Sequence, residues 1–262
     1  MTSLYDNPLY YKYEFNFFDD DLPFYRSLVR GKENFLELGP GSGRLLFPLA
    51  TEVNTCYAIE NSLAMFEALK DRMIEECPGN IMLIPGDMRA IPLKNDCMAT
   101  VIAPFNVVLH LIGEMEQRMA LQEIFRIIVP GGHFACDISM PGDELLQQIN
   151  LQGKAGFPLE TQQMGKGLIR EEKLFYNESK GILEVVIDYK ENEGRKERKR
   201  LNYQQNLRFG LNLRSELGKS GFKDVRVVNI PIPQSKERDL EVNGPKLFYV
   251  ATRPAGQNKI LD

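Results

Sequence analysis

Three acidic residues each close or follow a short apolar run: Glu37 in Phe35-Leu-Glu37-Leu, Glu60 after Cys56-Tyr-Ala-Ile, and Asp87 just past Ile81-Met-Leu-Ile84. The first run feeds directly into Gly39-Pro40-Gly41-Ser-Gly43-Arg44. Glycines at alternate positions let the chain bend sharply and let a ligand lie against bare main chain. The chemistry implied is binding of a nucleotide-like ligand where a strand passes into a helix, although a plain tight βα turn uses the same spacing. Arg44 stands where the dinucleotide fingerprint requires glycine or alanine, which weighs against nicotinamide or flavin. Glu60, 17 residues after Gly43, sits where a carboxylate accepts both ribose hydroxyls. Asp87, in Pro85-Gly86-Asp87-Met88, has the chemistry to take an adenine amino proton while Met88 packs on the ring. Singly, each carboxylate also fits an ordinary strand-end turn. Together, at the ends of successive strands, they converge on the crevice where ligands bind in such sheets.

A further segment, Ala103-Pro104-Phe105-Asn106-Val-Val-Leu-His110-Leu, carries an imidazole. At a crevice mouth it would titrate near neutrality and take a proton from an amine or hydroxyl. A histidine merely hydrogen-bonded beside a helix fits the same residues. His133, opening a strand, reads as structural. The N-terminus is dense in rings, with Tyr5, Tyr10, Tyr11, Tyr13, Phe15, Phe17, Phe18, Phe24 and Tyr25. They suit a lid helix over a buried ligand or simple aromatic packing on a sheet. The basic run from Arg195 to Arg200 invites a polyanion, but it is interleaved with Glu191, Glu193 and Glu197 beside a hairpin turn, the pattern of a solvated strand end.

The elements that must position these residues are βα units. Strands are expected over Asn34 to Leu38, Cys56 to Glu60, Ile81 to Ile84, Met98 to Ala103 and His133 to Ile138, alternating with helices over Arg44 to Ala50, Ser62 to Glu76 and Glu114 to Ile128. Pro130-Gly131-Gly132 stops the last of these helices. Beyond Pro141 the texture changes to alternating segments at Leu168 to Tyr176, Gly181 to Tyr189 and Arg198 to Phe209, which predict antiparallel hairpins. Asn212 is expected to cap a short helix ending at Gly221, before strands at Phe222 to Ile230 and Lys246 to Thr252. The chain divides into an aromatic lid (1–33), a nucleotide-binding core (34–141), an inserted helix and antiparallel substrate lid (142–210), a completion of the core sheet (211–253) and a flexible tail (254–262).

Composition narrows the partners. A chain of 262 residues with net charge −4 buries a substantial core and offers no global attraction to nucleic acid or anionic lipid. Cys56, Cys77, Cys97 and Cys136 form no Cys-x-x-Cys pair and, with two histidines, suggest no metal site. They read as reduced thiols of a cytoplasmic protein. No leader is recognisable at the N-terminus, and no stretch approaches the roughly 20 apolar residues of a membrane span. Oligomeric state stays open, a homodimer included.

Residues 35 to 141 resemble the class I S-adenosylmethionine-dependent methyltransferases. Glu37-Leu-Gly39-Pro-Gly41-Ser-Gly43 is similar to that family's first motif, Ala58-Ile-Glu60-Asn61 to its second and Gly86-Asp87-Met88 to its third, while Ile128-Val-Pro130-Gly-Gly132 resembles the turn before the fifth strand. Pro40 departs from the family, which more often has a small residue or cysteine there. The segment from Asn106 to His110 and Leu111 resembles that of small-molecule N- and O-methyltransferases, and lacks the Asn-Pro-Pro-aromatic run of enzymes acting on bases.

The resemblance implies an α/β fold with a Rossmann-like seven-stranded sheet, mostly parallel, whose last strand is antiparallel, covered by an inserted antiparallel β lid. It implies S-adenosylmethionine as cofactor, S-adenosylhomocysteine as product and a small-molecule methyl acceptor. Gly39 and Gly41 would line the methionine moiety, Glu37 would orient its amino group, Glu60 would hold the ribose and Asn61 the adenine. Tyr11, Tyr25, Pro40, Gly43, Arg44, Met65, Asp87, Met88, Pro104 and Phe105 complete the expected cofactor set. His110 and Tyr13 are the catalytic candidates, and Asn106, Arg208 and Phe209 the substrate-side ones. Alternatives are a methyltransferase of RNA or protein that uses the basic run at 195–200, and a non-catalytic nucleotide-binding protein or dehydrogenase.

Overall fold

The computed structural model describes residues 2–15, 19–76, 79–159, 161–164, 168–191, 199–229 and 246–255. Phe17, Phe18, Cys77, the basic run up to Arg198, Ile230 and the tail from residue 256 lie outside them. A two-residue strand β1 (Thr2–Ser3) opens the chain, followed by helices α1 (Pro8–Phe15) and α2 (Leu22–Val29). Then come β2 (Asn34–Leu38), α3 (Leu46–Ala50), β3 (Thr55–Glu60), α4 (Leu63–Glu76), β4 (Ile81–Pro85), β5 (Met98–Ala103), α5 (Glu114–Ile127) and β6 (Ile128–Ile138). The second half holds α6 (Asp143–Gln152), β7 (Phe157–Pro158), β8 (Gln162–Met164), β9 (Leu168–Asn177), β10 (Ile182–Glu191), β11 (Lys199–Asn206), α7 (Leu207–Lys219), β12 (Lys223–Asn229) and β13 (Leu247–Thr252).

Seven strands form the core sheet in the order β12-β13-β6-β5-β2-β3-β4. The pairs among β2 to β6 are parallel, and β13, the last strand of the chain, runs antiparallel to both of its neighbours. This is the expected mostly parallel, Rossmann-like sheet with an antiparallel last strand. The period of two along each strand separates two apolar layers. Leu36, Leu38, Val101, Ala103, Phe134 and Cys136 face α5 and α7, while Phe35, Ile102 and Ala135 face α2, α3 and α4. Both faces are covered, which is why β2 and β5 read as nearly continuous apolar runs rather than alternating ones.

A second sheet of six strands runs β1-β11-β10-β9-β7, with β8 on β9. It is the antiparallel lid, except that β1 joins β11 in parallel and so adds the chain's start to its edge. Its inner face, with Leu174, Leu183, Val185 and Leu201, shares one apolar cluster with the core sheet.

Two expectations are corrected. The segment read as a strand to Phe209 leaves the sheet at Asn206, whose side chain accepts the Phe209 N–H at 2.9 Å and caps α7. The helix therefore begins at Leu207 and Asn212 lies inside it. Leu207, Phe209, Gly210, Leu213 and Leu217 are buried, a helical period that outweighs the alternation of the preceding strand. The fifth core strand also starts at Ile128, ahead of Pro130-Gly131-Gly132, with a register shift against β5 at that point. Among the described residues no helix is long and apolar enough to cross a membrane.

Candidate active site

The strand order reverses between β2 and β5, so the carboxyl ends of these strands open onto the crevice expected of such sheets. Glu37, second to last in β2, is 2 % exposed. Its Oε2 is buried without a hydrogen-bond partner. Burial pushes its pKa up to about 8; Arg44 opposes that shift, and the like charges of Asp21 and Glu60 add to it. The chain then bends through Gly39, Gly41 and Gly43, all at positive φ. At Gly41 the requirement is also steric, because a Cβ there would stand 2.5 Å from Tyr11 Oη. At Gly43 a Cβ would collide with the Phe47 ring and Leu69.

Glu60, at the tip of β3, turns back on this bend. Its Oε2 accepts the Gly41 N–H at 3.3 Å and its Oε1 the Ser62 N–H at 2.8 Å. Burial raises its pKa, partly offset by those backbone donors and by that of Asn61. With those donors in place the carboxylate keeps only part of its lone-pair capacity, of about four sites, for a ligand.

The resulting cleft is narrow, with a cavity volume of about 20 Å³, room for little more than one water and far below the roughly 300 Å³ at which ligand pockets start. Of the expected residues, Tyr11, Glu37, Gly39, Pro40, Arg44, Pro104 and Phe105 line it. Phe15 lines it too and meets Phe105 edge-on, with ring centroids 5.1 Å apart. Arg44 holds Asp21 through two bonds of 2.5 and 2.7 Å, and its guanidinium carbon lies 5.4 Å from the Phe105 ring centroid. Met65 is buried in the first turn of α4, and Asn61 is exposed beside Glu60.

Asp87 follows β4, where its carboxylate accepts the Arg89 backbone N–H at 2.8 Å and its guanidinium at 2.9 and 2.5 Å. The Arg89 hydrogen bond holds the Asp87 carboxyl below its ordinary range. Met88 packs partly buried against the core. Asn106 spends its side-chain oxygen on the Ser139 N–H at 2.7 Å.

His110 has both ring nitrogens engaged. A carbonyl only accepts, so Nδ1–H donates to Gln204 O at 2.8 Å and Nε2 accepts the Tyr5 hydroxyl at 2.7 Å. Burial drives its pKa down to about 4, against the pull of the Gln204 bond.

Tyr25, Tyr13, Arg208 and Phe209 are also not among the residues that line this cleft. Tyr25 is fully buried, its hydroxyl donating to Asp137 Oδ1 at 2.5 Å. Tyr13 is 39 % exposed and turned edge-on to Tyr10. Arg208, on α7, donates to the Glu178 and Ser179 carbonyls at the β9–β10 turn. Phe209 is buried in the core. Asp21 and Asp137 were missed in the sequence, and Tyr5 was read only as one of the N-terminal rings. Asp137 did carry a signal, a lone acid near the end of the apolar run Phe134-Ala-Cys-Asp-Ile, like Glu37 and Glu60 in theirs.

Sheet order, bare-backbone bend and paired strand-tip carboxylates are the architecture of the class I S-adenosylmethionine-dependent methyltransferases. Residues 35–132 match the family model described as a methyltransferase domain. The chain overlays the CcbJ methyltransferase from Streptomyces caelestis with a TM-score of 0.72 at 19 % identity, covering 90 % of this chain and 91 % of that one. The sugar N-methyltransferase KedS8 from Streptoalloteichus sp. overlays at 0.70 with 16 % identity, over 97 % and 94 %. The amino pentose methyltransferase CalS10 from Micromonospora echinaspora, bound to S-adenosylmethionine, overlays at 0.62 with 17 % identity, over 89 % and 90 %. Among curated protein sequences none matches significantly.

Proposed function

We propose that this protein is a methyltransferase that takes the methyl group of S-adenosylmethionine, with S-adenosylhomocysteine as the product, and places it on a nitrogen or oxygen of a small molecule. The observation that carries the proposal is Glu37, a buried carboxylate with an orphaned oxygen beside a bare glycine bend. A buried polar atom without a partner is costly, and the ammonium of the cofactor's methionine part is the partner this one lacks. Glu60 has lone-pair capacity left for ribose hydroxyls, and Gly39 and Gly41 carry no side chains of their own, so a ligand that displaces the Tyr11 ring from Gly41 lies directly on the backbone. The cofactor supplies an already activated methyl on a sulfonium.

The chain's own task is alignment and exclusion of water. Tyr11, Phe15 and Phe105 wall the cleft with rings, and full orientation of reacting groups is worth about 7 to 11 kcal/mol at best. His110 stays neutral at physiological pH and steadies the Tyr5 hydroxyl, and a dry site favours a neutral amine, so an acceptor nitrogen that arrives deprotonated needs no base. The small-molecule class is supported by the sugar and amino pentose enzymes that share the fold. It is supported too by the described end of the basic run, where Arg200 pairs with Asp188 at 2.7 Å and Lys199 lies 5.4 Å from the Tyr10 ring centroid. The unpaired thiols Cys56, Cys97 and Cys136 suit the reducing cytoplasm. Calorimetric titration with S-adenosylhomocysteine tests the proposal. Saturable binding with one site per chain is expected, and no binding overturns it.

A further inference from the structure

Phe105 and Asn106 are consecutive non-glycine residues in the left-handed region, each with φ of 61°. L side chains rarely adopt that conformation and keep it only where their surroundings hold it. Here the holder is Asp137, near the carboxyl end of β6 and 1 % exposed. Its Oδ1 accepts the Phe105 N–H at 2.8 Å, and its main-chain oxygen accepts the Asn106 N–H at 3.2 Å. Asn106 in turn accepts the Ser139 N–H through its side chain.

The carboxylate is itself fixed from two other elements. Tyr25 on α2 donates to Oδ1, and Lys246, just before β13, brings its Nζ to 3.6 Å from Oδ2, an oxygen with no hydrogen bond. The same lysine lies 3.6 Å from Asp21 Oδ2, and Asp21 clamps Arg44. Arg44 and Lys246 both flank the Phe105 ring, at 5.4 and 5.1 Å from its centroid. A buried charge cluster is poorly suited to stability alone, since well-packed apolar residues serve as well or better. Asp137, Arg44 and Lys246 all reach Phe105, whose ring walls the cleft beside Glu37 and Pro40.

We infer that Asp137 is a positioning residue of the cofactor cleft, holding the Phe105 ring against the bound cofactor through the Phe105 N–H. This role rests on the methyl-donor function proposed above. It is tested by titrating S-adenosylhomocysteine calorimetrically into wild-type protein, Asp137→Ala, Asp137→Asn, Phe105→Gly and the Asp137→Ala/Phe105→Gly double variant. Asp137→Ala weakens binding at least tenfold. Asp137→Asn stays within threefold of wild type, because an amide oxygen still accepts the Phe105 N–H. In the Phe105→Gly background, Asp137→Ala changes the Kd less than twofold, since the ring it acts through is gone.

A merely structural carboxylate would lower the Tm without rescue by asparagine and without that non-additivity. Should Asp137→Ala fail to fold, Lys246→Met takes its place and weakens binding at least threefold alone but not with Phe105→Gly. Additive losses, an asparagine variant as weak as alanine, or wild-type affinity in Asp137→Ala overturns the role. Wild-type protein that does not bind overturns the proposed function and this role with it.

Discussion

The two sheets handle buried charge in opposite ways. At the tips of the core strands, Glu37 keeps an oxygen with no partner and Glu60 is bonded only in part. In the lid, the buried charges answer one another. Arg170 takes Glu14 of α1 through bonds of 2.7 and 2.6 Å and also pairs with Glu172, and Tyr189 donates to Glu14. The lid's buried charges are paired within the fold, whereas Glu37 and Glu60 at the core tips keep acceptor capacity open, beside an Asp21–Arg44–Lys246–Asp137 cluster that is paired. A completed network contributes to the folded state and an incomplete one contributes to binding, so the same kind of residue should give different phenotypes in the two places.

The largest effect is expected in the lid. Arg170→Met leaves two neighbouring carboxylates buried without their cation, and costs about 3 to 5 kcal/mol, read from urea unfolding. An unchanged midpoint would show that the clasp is not a closed network.

Next is the proton on Glu37. Its pKa of about 8 in the free protein means that binding a cationic ammonium must release a proton below that pH. Affinity for S-adenosylhomocysteine should therefore approach a tenfold fall for each pH unit well below 8, hence roughly 50-fold between pH 8, where Glu37 is already half protonated, and pH 6. Titrations in buffers of different ionisation enthalpy would count the proton released.

The sign for stability follows from the same shift. The folded pKa lies above the ordinary 4.5, so Glu37 destabilises the ligand-free fold fully above pH 8 and not at all below 4.5. Glu37→Gln should thus raise the Tm of the ligand-free protein at pH 9, abolish the pH dependence of binding and weaken binding itself. A Tm that does not rise would mean Glu37 is already satisfied.

Glu60→Ala is expected to weaken S-adenosylhomocysteine by at least tenfold, about 1.4 kcal/mol, because a charged acceptor and the tether of the Gly41 N–H are lost together. An unchanged Kd would remove Glu60 from the site. Arg200→Gln should do least. Its side chain is 44 % exposed, so losing its pair with Asp188 costs under about 1 kcal/mol after screening, with binding within twofold of wild type. A larger loss would mean that the rim of the lid carries more than packing.

How far residues alone reveal such a site depends on whether the contacts are local. Glu37, Gly39, Gly41 and Glu60 announce themselves because an apolar strand, a glycine bend and a strand-tip acid are local patterns, and parallel packing then forces them together. His110 shows the limit. Its segment suggests an imidazole at the cleft mouth, but its neutrality is set by burial, and its ring nitrogens are engaged by Tyr5, 105 positions away, and Gln204, 94 positions away. Tyr25 and Tyr11 are equally plausible lid tyrosines in the sequence. One is consumed by Asp137 and the other lies on Gly41, a choice made by how α1 and α2 pack. Phe209 was misplaced because the strand-like alternation before it hides the onset of α7, which depends on the Asn206 cap and on burial against β6.

What the sequence by itself determined is the core: hydrophobic period, glycine placement and acid-tipped strands specify a doubly covered parallel sheet and the cofactor class it suits. Only the tertiary structure decided which aromatic rings wall the cleft, which charges are cancelled and which remain open. Those outcomes depend on pairs distant in the chain, whose desolvation and geometry exist only once both sheets have closed on one another.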